Sequence, residues 1–156
     1  MIISVIGFGH IGSVIGSVIA NNGFKVFGLD QNLDLLNSFK EKKIPISEPG
    51  LDKLVSKSIK SKKLVLTNNF ESIEISDVII ITVGTPLIKG YKPDVSALKK
   101  VCLKIKPLIK KNQLILIKST VPPGTTRNIV YKILSKNEKN IKVVFCPERL
   151  AEGNAI

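Results

Sequence analysis

The sequence predicts an α/β fold: a doubly wound, mainly parallel sheet of about six strands with helices on both faces. Two observations predict it. Short apolar runs rich in β-branched residues alternate along the chain with stretches whose apolar residues recur every three or four positions. Residues 77–83 form a nearly continuous apolar run, of the kind buried on both faces of a parallel sheet. Strands and helices in alternation build such a sheet with right-handed crossovers.

One domain over residues 1–156 accounts for the whole chain. A chain of 156 residues can bury its own core and is too short for two domains of ordinary size. Its composition, 44% hydrophobic and 23% charged, excludes a disordered or collagen-like protein. The longest apolar run falls far short of the roughly 20 residues that span a bilayer, and the chain opens without a signal peptide. We therefore expect no membrane partner.

The two cysteines, Cys102 and Cys146, lie 44 positions apart. That spacing fits neither a disulfide framework nor a set of metal ligands. We expect two reduced thiols in a cytoplasmic protein, and no bound metal.

The first part of the chain predicts strand, helix, strand and helix in turn. Residues 2–6 form an apolar strand that ends at glycine. From Ile11 the apolar residues follow the period of an amphipathic helix, which ends near residues 21–23. Residues 24–29 form the second strand, and the second helix is marked by Leu35, Leu36 and Phe39.

The rest of the chain continues the alternation. After a loop with two prolines at residues 44–50, we predict a helix over residues 51–59, a strand over 64–66 and the apolar strand over 77–83. The elements that follow are a helix over 95–109 that Pro107 kinks or ends, a strand over 114–118, a helix over 125–134 and a strand over 142–145.

Residues 7–12 read Gly7-Phe8-Gly9-His10-Ile11-Gly12, the pattern G-x-G-x-x-G between a predicted strand and a predicted helix. In this context Gly7 permits the tight turn, Gly9 lets the backbone approach a pyrophosphate, and Gly12 lets the helix pack close to the strand. The helix N-terminus then holds the negative charge. The pattern predicts a Rossmann-type dinucleotide site, with His10, the one histidine, lying over the pyrophosphate rather than acting in catalysis.

Asp30 lies 18 residues after Gly12, at the end of the second strand. A carboxylate there accepts hydrogen bonds from the adenosine ribose and repels a 2′-phosphate, so NAD is favoured over NADP. No arginine follows Asp30 to receive that phosphate. The alternative is a domain of the same fold whose glycines serve packing alone.

Polar, turn-forming strings follow three later strands: Val83-Gly84-Thr85-Pro86, residues 118–126 and residues 146–153. Ligands of open parallel sheets bind outside the carboxyl ends of the strands. Three such strings on the predicted cofactor edge therefore indicate a site.

With these strings in view, the chain resembles the NAD-binding N-terminal domain of the UDP-glucose/GDP-mannose dehydrogenase family. The resemblance covers essentially the whole chain, in family order. It rests on residues 2–12, Asp30, Glu48-Pro49-Gly50-Leu51, Val83-Gly84-Thr85-Pro86, Lys92-Pro93-Asp94, residues 119–126 (Ser-Thr-Val-Pro-Pro-Gly-Thr-Thr), Pro147-Glu148 and Glu152-Gly153.

The resemblance implies oxidation of the C6 alcohol of a nucleotide sugar to the carboxylate with two NAD+, through a cysteine-bound intermediate. Thr120 would position a catalytic water and contact the cofactor, Glu148 would assist that water, and Glu152 would lie near the nicotinamide. The cofactor groove would be lined by Val83, Gly84, Thr85 and Ser119. From the residues alone, Thr120 is equally well a strand-end cap, and Glu148 a turn carboxylate held by a backbone N–H.

The sequence departs from the UDP-glucose form of the family after the last strand. Pro147-Glu148-Arg149 is more similar to the branch that oxidises UDP-N-acetyl-D-mannosamine; UDP-glucose and GDP-mannose are the alternative substrates. Neither cysteine matches the family's nucleophile. The resemblance therefore implies the N-terminal part of a longer, homo-oligomeric enzyme, without its linking helix and UDP-binding domain, that binds NAD but does not turn over a UDP-sugar.

Two other classes of protein compete with this interpretation. A stand-alone NAD-sensing regulatory module shares the glycine pattern and Asp30, but it does not need the strings after the later strands. The net charge of +12 suggests a nucleic-acid binder, yet aromatic residues make up 5% and tryptophan is absent. Because nearly all the excess charge is lysine on predicted helix faces and turns, we expect no nucleic-acid partner. The charge attracts anionic ligands only at long range.

Overall fold

We use a computed structural model of the protein and describe its residues 1–135, 140–151 and 153–156. Its strands are β1 (Ile2–Ile6), β2 (Lys25–Leu29), β3 (Leu64–Thr67), β4 (Val78–Ile81), β5 (Leu87–Ile88), β6 (Lys92–Pro93), β7 (Leu114–Ile117) and β8 (Lys142–Phe145). Its helices are α1 (His10–Asn21), α2 (Leu33–Lys40), α3 (Leu51–Lys60), a 3₁₀ helix (Phe70–Ile75), α4 (Ser96–Ile105), a π-helical segment (Thr126–Tyr131) and α5 (Lys132–Leu134).

Six strands form one parallel sheet in the order β3-β2-β1-β4-β7-β8. The order runs outward from β1 in one direction and outward from β4 in the other, so the strand order reverses between these two strands. Dinucleotides bind at that reversal in doubly wound sheets. The predicted fold class is confirmed, and the turn after β1 lies at the reversal.

Helices cover both faces of the sheet because side chains on a strand point alternately to opposite sides. Ile3 and Val5 of β1 belong to one core, which α1, α2 and α3 complete and which we call the α1 core. Ile6 of β1 belongs to the other core, which α4, the 3₁₀ helix and α5 complete and which we call the α4 core. Each fully buried Ile, Leu or Val stabilises the fold by about 1.5–3 kcal/mol.

The predicted elements differ from the structure mainly at their ends. The second strand begins at Lys25 rather than at residue 24, the fourth spans only Val78–Ile81, and the helix before Pro107 ends at Ile105. The helix predicted over residues 125–134 is divided into the π-helical segment and α5. None of these changes alters the order of the strands in the sheet.

Two elements were not predicted. The 3₁₀ helix at Phe70–Ile75 is capped by Asn69, whose side chain accepts from the backbone N–H of Glu71 over 2.9 Å. The antiparallel hairpin β5–β6 turns through Gly90 and Tyr91, both with positive φ. Within the part of the chain that the structure describes, no helix is both long and apolar enough to cross a membrane.

Candidate functional site

The glycine loop, residues 7–12, joins β1 to α1. Gly7 has a φ of +93°, a left-handed conformation that residues with a Cβ rarely adopt. A Cβ on Gly12 would lie 2.0 Å from the carbonyl oxygen of Gly7, far inside van der Waals contact. Helix α1 can therefore begin this close to β1 only because both residues are glycine.

Gly9 and Gly84 are surrounded differently. Apart from the glycine and its neighbours in the chain, a Cβ at either position would meet no atom of the described structure within 4 Å. Gly9 is also the N-cap of α1, a helix with no side-chain cap and no acidic residue in its first turn. Backbone N–H groups at a helix N-terminus favour anions. Packing therefore does not require glycine at Gly9 and Gly84, and the backbone at both positions is open to a ligand.

Phe8 can face a ligand only with its backbone, because its side chain is fully buried. The ring packs edge-on against Phe39, with the centroids 5.2 Å apart. It also fills the space above Gly16 and Gly28, where a Cβ would lie 2.9 and 2.5 Å from it. Ile11, in the first turn of α1, is half-buried.

Asp30 follows β2, and the backbone fixes its carboxylate in place. Oδ2 accepts the backbone N–H of Phe8 over 2.8 Å, and Oδ1 accepts that of Asn32 over 2.9 Å. The first of these bonds ties Asp30 to the glycine loop. The acid that sequence reasoning selected for a ribose is thus placed at the glycine loop.

A cleft of about 320 Å³ adjoins Asp30 and the glycine loop. Its walls include Gly7 and Val83 from the predicted site. Sequence reasoning missed the rest of its polar lining, because these side chains come from the residue after Asp30 and from α4, where no motif marks them: Gln31, Ser96 and Lys100.

Thr82, the first residue after β4, was also missed. Its hydroxyl lies 2.7 Å from the carbonyl oxygen of Gly7 and 3.1 Å from that of Ile6, so that it donates to the glycine loop from the neighbouring strand. A polar residue within the otherwise apolar run of residues 78–83 is the signal that could have identified it.

The loops after β4 and β7 are joined by two side-chain hydrogen bonds. The Ser119 hydroxyl donates to the carbonyl oxygen of Val83 over 2.6 Å, and the Thr85 hydroxyl donates to the carbonyl oxygen of Thr120. Thr120 itself is exposed. The structure therefore joins two pairs of predicted residues whose members are 36 and 35 positions apart in the sequence.

Glu148, after β8, pairs with Lys118, after β7. The Lys118 ammonium lies 3.1 Å from Oε2, and both side chains are largely buried. Oε1 accepts the backbone N–H groups of Arg149 and Leu150 over 2.7 and 2.8 Å. Burial of the carboxyl raises the pKa of Glu148, but Lys118 and the two amides together outweigh it and hold that pKa below its ordinary value. Glu148 is thus ionised at neutral pH.

Lys118 was not among the predicted site residues. Its position follows from the pairing of β7 with β8, in which Ile117 lies opposite Phe145. One step further along, the Lys118 ammonium is 3.9 Å from the sulfur of Cys146. Only the order of the strands could have revealed this contact.

His10 contacts Glu48 of the loop before α3, with Nε2 3.0 Å from Oε2. The Glu48 carboxylate also accepts the backbone N–H groups of Gly153 and Ala155, both over 2.8 Å. Glu152, the predicted neighbour of the nicotinamide, lies outside the described residues.

The sequence matches the model of the "UDP-glucose/GDP-mannose dehydrogenase family, NAD binding domain" over residues 1–156.

The chain belongs to this family.

Its relatives in the family include a UDP-N-acetyl-D-mannosamine dehydrogenase from Methanococcus aeolicus, 39% identical over 99% of this chain and 35% of that protein. A UDP-glucose 6-dehydrogenase from Bacillus subtilis is 40% identical over 99% of this chain and 34% of its own length. Among solved structures, a GDP-mannose dehydrogenase from Pseudomonas aeruginosa has a TM-score of 0.94 and 32% identity, covering 100% of this chain and 38% of that one. The chain thus spans about a third of the length of the curated relatives it matches.

NAD is the cofactor of this family's domain, and the residues present fit it. The glycine loop combines two glycines that the fold requires with Gly9, whose missing Cβ leaves an open approach to the backbone. Asp30 adds a fixed carboxylate beside a cleft. These are the elements that hold a pyrophosphate and a ribose in Rossmann domains.

The two cysteines are free thiols. Cys102 is buried in the α4 core, and burial raises its pKa to about 12. Cys146 is half-buried beside Lys118. Among the described residues no group of three or more His, Cys, Asp or Glu side chains could hold a metal ion.

Proposed function

We propose that this chain is the NAD-binding part of a nucleotide-sugar 6-dehydrogenase that oxidises the C6 alcohol of a UDP-sugar to the carboxylate with two NAD+. One observation carries the proposal. Two polar groups suited to handling water, the exposed Thr120 and the ionised Glu148, follow adjacent strands β7 and β8 on the edge that holds the glycine loop. A cofactor-binding module that performs no chemistry has no need of such a pair.

In this proposal Thr120 and Glu148 act on water. NAD+, held at the glycine loop and Asp30, would supply the hydride acceptor for the reaction. A carboxylate with a lowered pKa is a weak base, so Glu148 serves best by accepting a hydrogen bond from a water molecule and orienting it. Lys118 and the amides of residues 149 and 150 hold the carboxylate in one direction for that purpose. The Thr120 hydroxyl supplies a second polar contact for the water and for the cofactor.

UDP-N-acetyl-D-mannosamine is the substrate we favour. The Pro147-Glu148-Arg149 string supports it, as do relatives of that name in several Methanococcus species. UDP-glucose and GDP-mannose are the alternatives, because relatives with those activities in their names are 40% and 34% identical.

We further propose that residues 1–156 bind NAD without turning over a sugar. The chain spans about a third of its curated relatives, and Cys102, buried and with a raised pKa, is unsuited to attack a substrate. In the full-length enzyme, a cytoplasmic homo-oligomer in this proposal, a further segment would supply the nucleophilic cysteine and the UDP-sugar site. Glu152 would lie near the nicotinamide.

A thermal-shift titration of this chain tests the cofactor part of the proposal. NAD+ should raise the melting temperature, and NADP+ at the same concentration should raise it much less, because the fixed Asp30 carboxylate repels a 2′-phosphate. In the Asp30→Asn variant, which lacks the charge, the rises in melting temperature with NAD+ and with NADP+ should differ less. Equal protection by both dinucleotides in the unaltered chain would contradict the role of Asp30.

An absorbance assay at the NADH band tests the catalytic part. Residues 1–156 with NAD+ and UDP-N-acetyl-D-mannosamine should produce no sustained NADH. Steady production by this chain with any of the three nucleotide sugars would overturn the proposed division of labour.

A further inference from the structure

Several acidic residues form ion pairs in the described structure. Of these, Glu48 is the most deeply buried, with 1% of its side chain exposed. It lies in the loop before α3, a segment to which the proposed function assigns no chemistry. A buried carboxylate is costly unless hydrogen bonds and charges compensate for its lost hydration. Its partners therefore indicate what the carboxylate does.

The partners come from two distant segments. Oε1 accepts the backbone N–H of Ala155 and Oε2 that of Gly153, both over 2.8 Å, and Oε2 lies 3.0 Å from Nε2 of His10. Gly153 and Ala155 are more than a hundred positions away from Glu48 in the sequence, and His10 is 38 positions away. One carboxylate thus joins the glycine loop to the segment that follows β8.

The balance of these contacts favours the ionised form. The amide of Ala155 lowers the pKa of Glu48 most; burial raises it, and the amide of Gly153 and the imidazole of His10 lower it further, so that the pKa lies below its ordinary value. The carboxylate is therefore charged at neutral pH, and both oxygens act only as acceptors.

The segment after β8 is placed by this carboxylate together with apolar contacts. Leu150 and Ala155 pack against the α1 core, and Ile156 lies beside Gly50. Glu148, the proposed water-orienting residue, lies in the same segment, three positions after the end of β8. Movement at Glu48 would therefore be felt both at the glycine loop and along the chain that leads away from Glu148.

We propose that Glu48 is a positioning residue that couples dinucleotide binding at the glycine loop to the placement of residues 153–155. The inference rests on the proposed function, since it assumes that NAD+ binds at the glycine loop. Cofactor that fixes the loop fixes His10, and the shared carboxylate transmits this restraint to the amides of Gly153 and Ala155. The coupling is reciprocal: whatever loosens these amides weakens NAD+ binding by the same factor.

The first test uses the unaltered chain. NMR measurement of amide hydrogen exchange should show that saturating NAD+ slows exchange at Gly153 and Ala155 about fivefold or more, the lower end of typical couplings between sites. Unchanged exchange at both amides, with NAD+ bound, would overturn the coupling.

The second test replaces one acceptor oxygen by an NH₂ group. In Glu48→Gln the amide can accept at one oxygen only, so at least one of the N–H groups of Gly153 and Ala155 loses its acceptor. We expect NAD+ affinity to fall about tenfold and the NAD+-dependent protection of the two amides to disappear. Asp52→Asn, which removes the same charge from an exposed position in the first turn of α3, should change neither.

A double-substitution cycle separates coupling through His10 from a general loosening of the structure. Glu48→Gln and His10→Ala should weaken NAD+ binding together by less than the product of their separate factors, because the second change removes a contact that the first has already weakened. Factors that multiply in full would overturn the coupling through His10.

Failure of the inference and failure of the proposed function give different results. Equal NAD+ affinity of the unaltered chain and Glu48→Gln overturns the coupling and leaves NAD+ binding intact. Absence of NAD+ binding by the unaltered chain overturns the proposed function and the coupling with it.

Discussion

The glycine loop and the loops after β7 and β8 share one edge of the sheet, but they are held there by different forces. At Gly12 a Cβ would clash with the backbone at 2.0 Å, and at Gly7 a positive φ and backbone atoms about 3 Å away disfavour one. At Lys118 and Glu148 an ion pair and two backbone amides orient a side chain. A side chain that clashes with the backbone forces the backbone to move, whereas the loss of one hydrogen bond or ion pair leaves the other contacts in place. Substitutions in the first region should therefore have the larger effects.

The largest effect is expected for Gly12→Ala. The added Cβ would lie 2.0 Å from the carbonyl oxygen of Gly7, also within 2.8 Å of the Thr82 hydroxyl, and α1 would have to move away from β1. Overpacking of this kind costs about 3 kcal/mol or more when backbone must shift. Urea unfolding followed by circular dichroism measures the loss. A variant with unchanged unfolding free energy would contradict a structural role for Gly12.

The next effect is expected for Gly9→Ala, in the same loop. Apart from residue 9 and its neighbours in the chain, no atom of the described structure lies within 4 Å of the new Cβ, so the urea midpoint should stay close to that of the unaltered chain. NAD+ affinity should nevertheless fall by about tenfold or more, because a methyl group would occupy the space through which the pyrophosphate reaches the backbone. Calorimetric titration of the two proteins measures the difference. If Gly9→Ala binds NAD+ as tightly as the unaltered chain, the pyrophosphate does not approach the backbone at Gly9.

The regular part of the fold could be predicted from the sequence because its signals are local. Alternating apolar runs predicted all six strands of the parallel sheet, and the prediction failed mainly where elements are short. Strands β5 and β6 have two residues each, and their pairing depends on positive φ angles at Gly90 and Tyr91 that composition does not reveal. The 3₁₀ helix depends on capping by Asn69, a residue equally common in turns.

The site could be predicted only as far as strand ends and motifs point to it. The glycine loop and Asp30 follow from spacing, and the structure joins them through the N–H of Phe8. The pairs Lys118–Glu148 and His10–Glu48 could not be found in this way, because each links loops whose proximity depends on the folded topology. The sequence thus indicated which loops meet at the edge, but not which side chains fix their geometry.

The smallest effect is expected for Lys118→Met, which removes the cation but keeps the apolar stem. Glu148 would retain the amides of Arg149 and Leu150 but lose its countercharge. The stability loss should be about 1–2 kcal/mol, between the values for exposed and fully buried pairs. Lys110→Met is the matched control, because the exposed Lys110–Glu74 pair should contribute less than about 1 kcal/mol. Equal losses of stability in the two variants would mean that the buried Lys118–Glu148 pair contributes no more than the exposed Lys110–Glu74 pair.

The same variant should alter the response of stability to acid. In the unaltered chain the pKa of folded Glu148 lies below its ordinary value of 4.5, so the stabilisation from its ionised form is present above 4.5 and is lost as the pH falls through the lowered value. Without Lys118 the pKa should rise toward the ordinary value, and less stability should be lost on acidification. Unfolding free energies at about pH 6 and about pH 3 show how much stability the unaltered chain and the Lys118→Met variant each lose on acidification. A variant that is as acid-sensitive as the unaltered chain would show that the two amides, rather than Lys118, keep Glu148 ionised. The loops after β7 and β8 would then resemble the glycine loop, because backbone groups alone would fix their geometry.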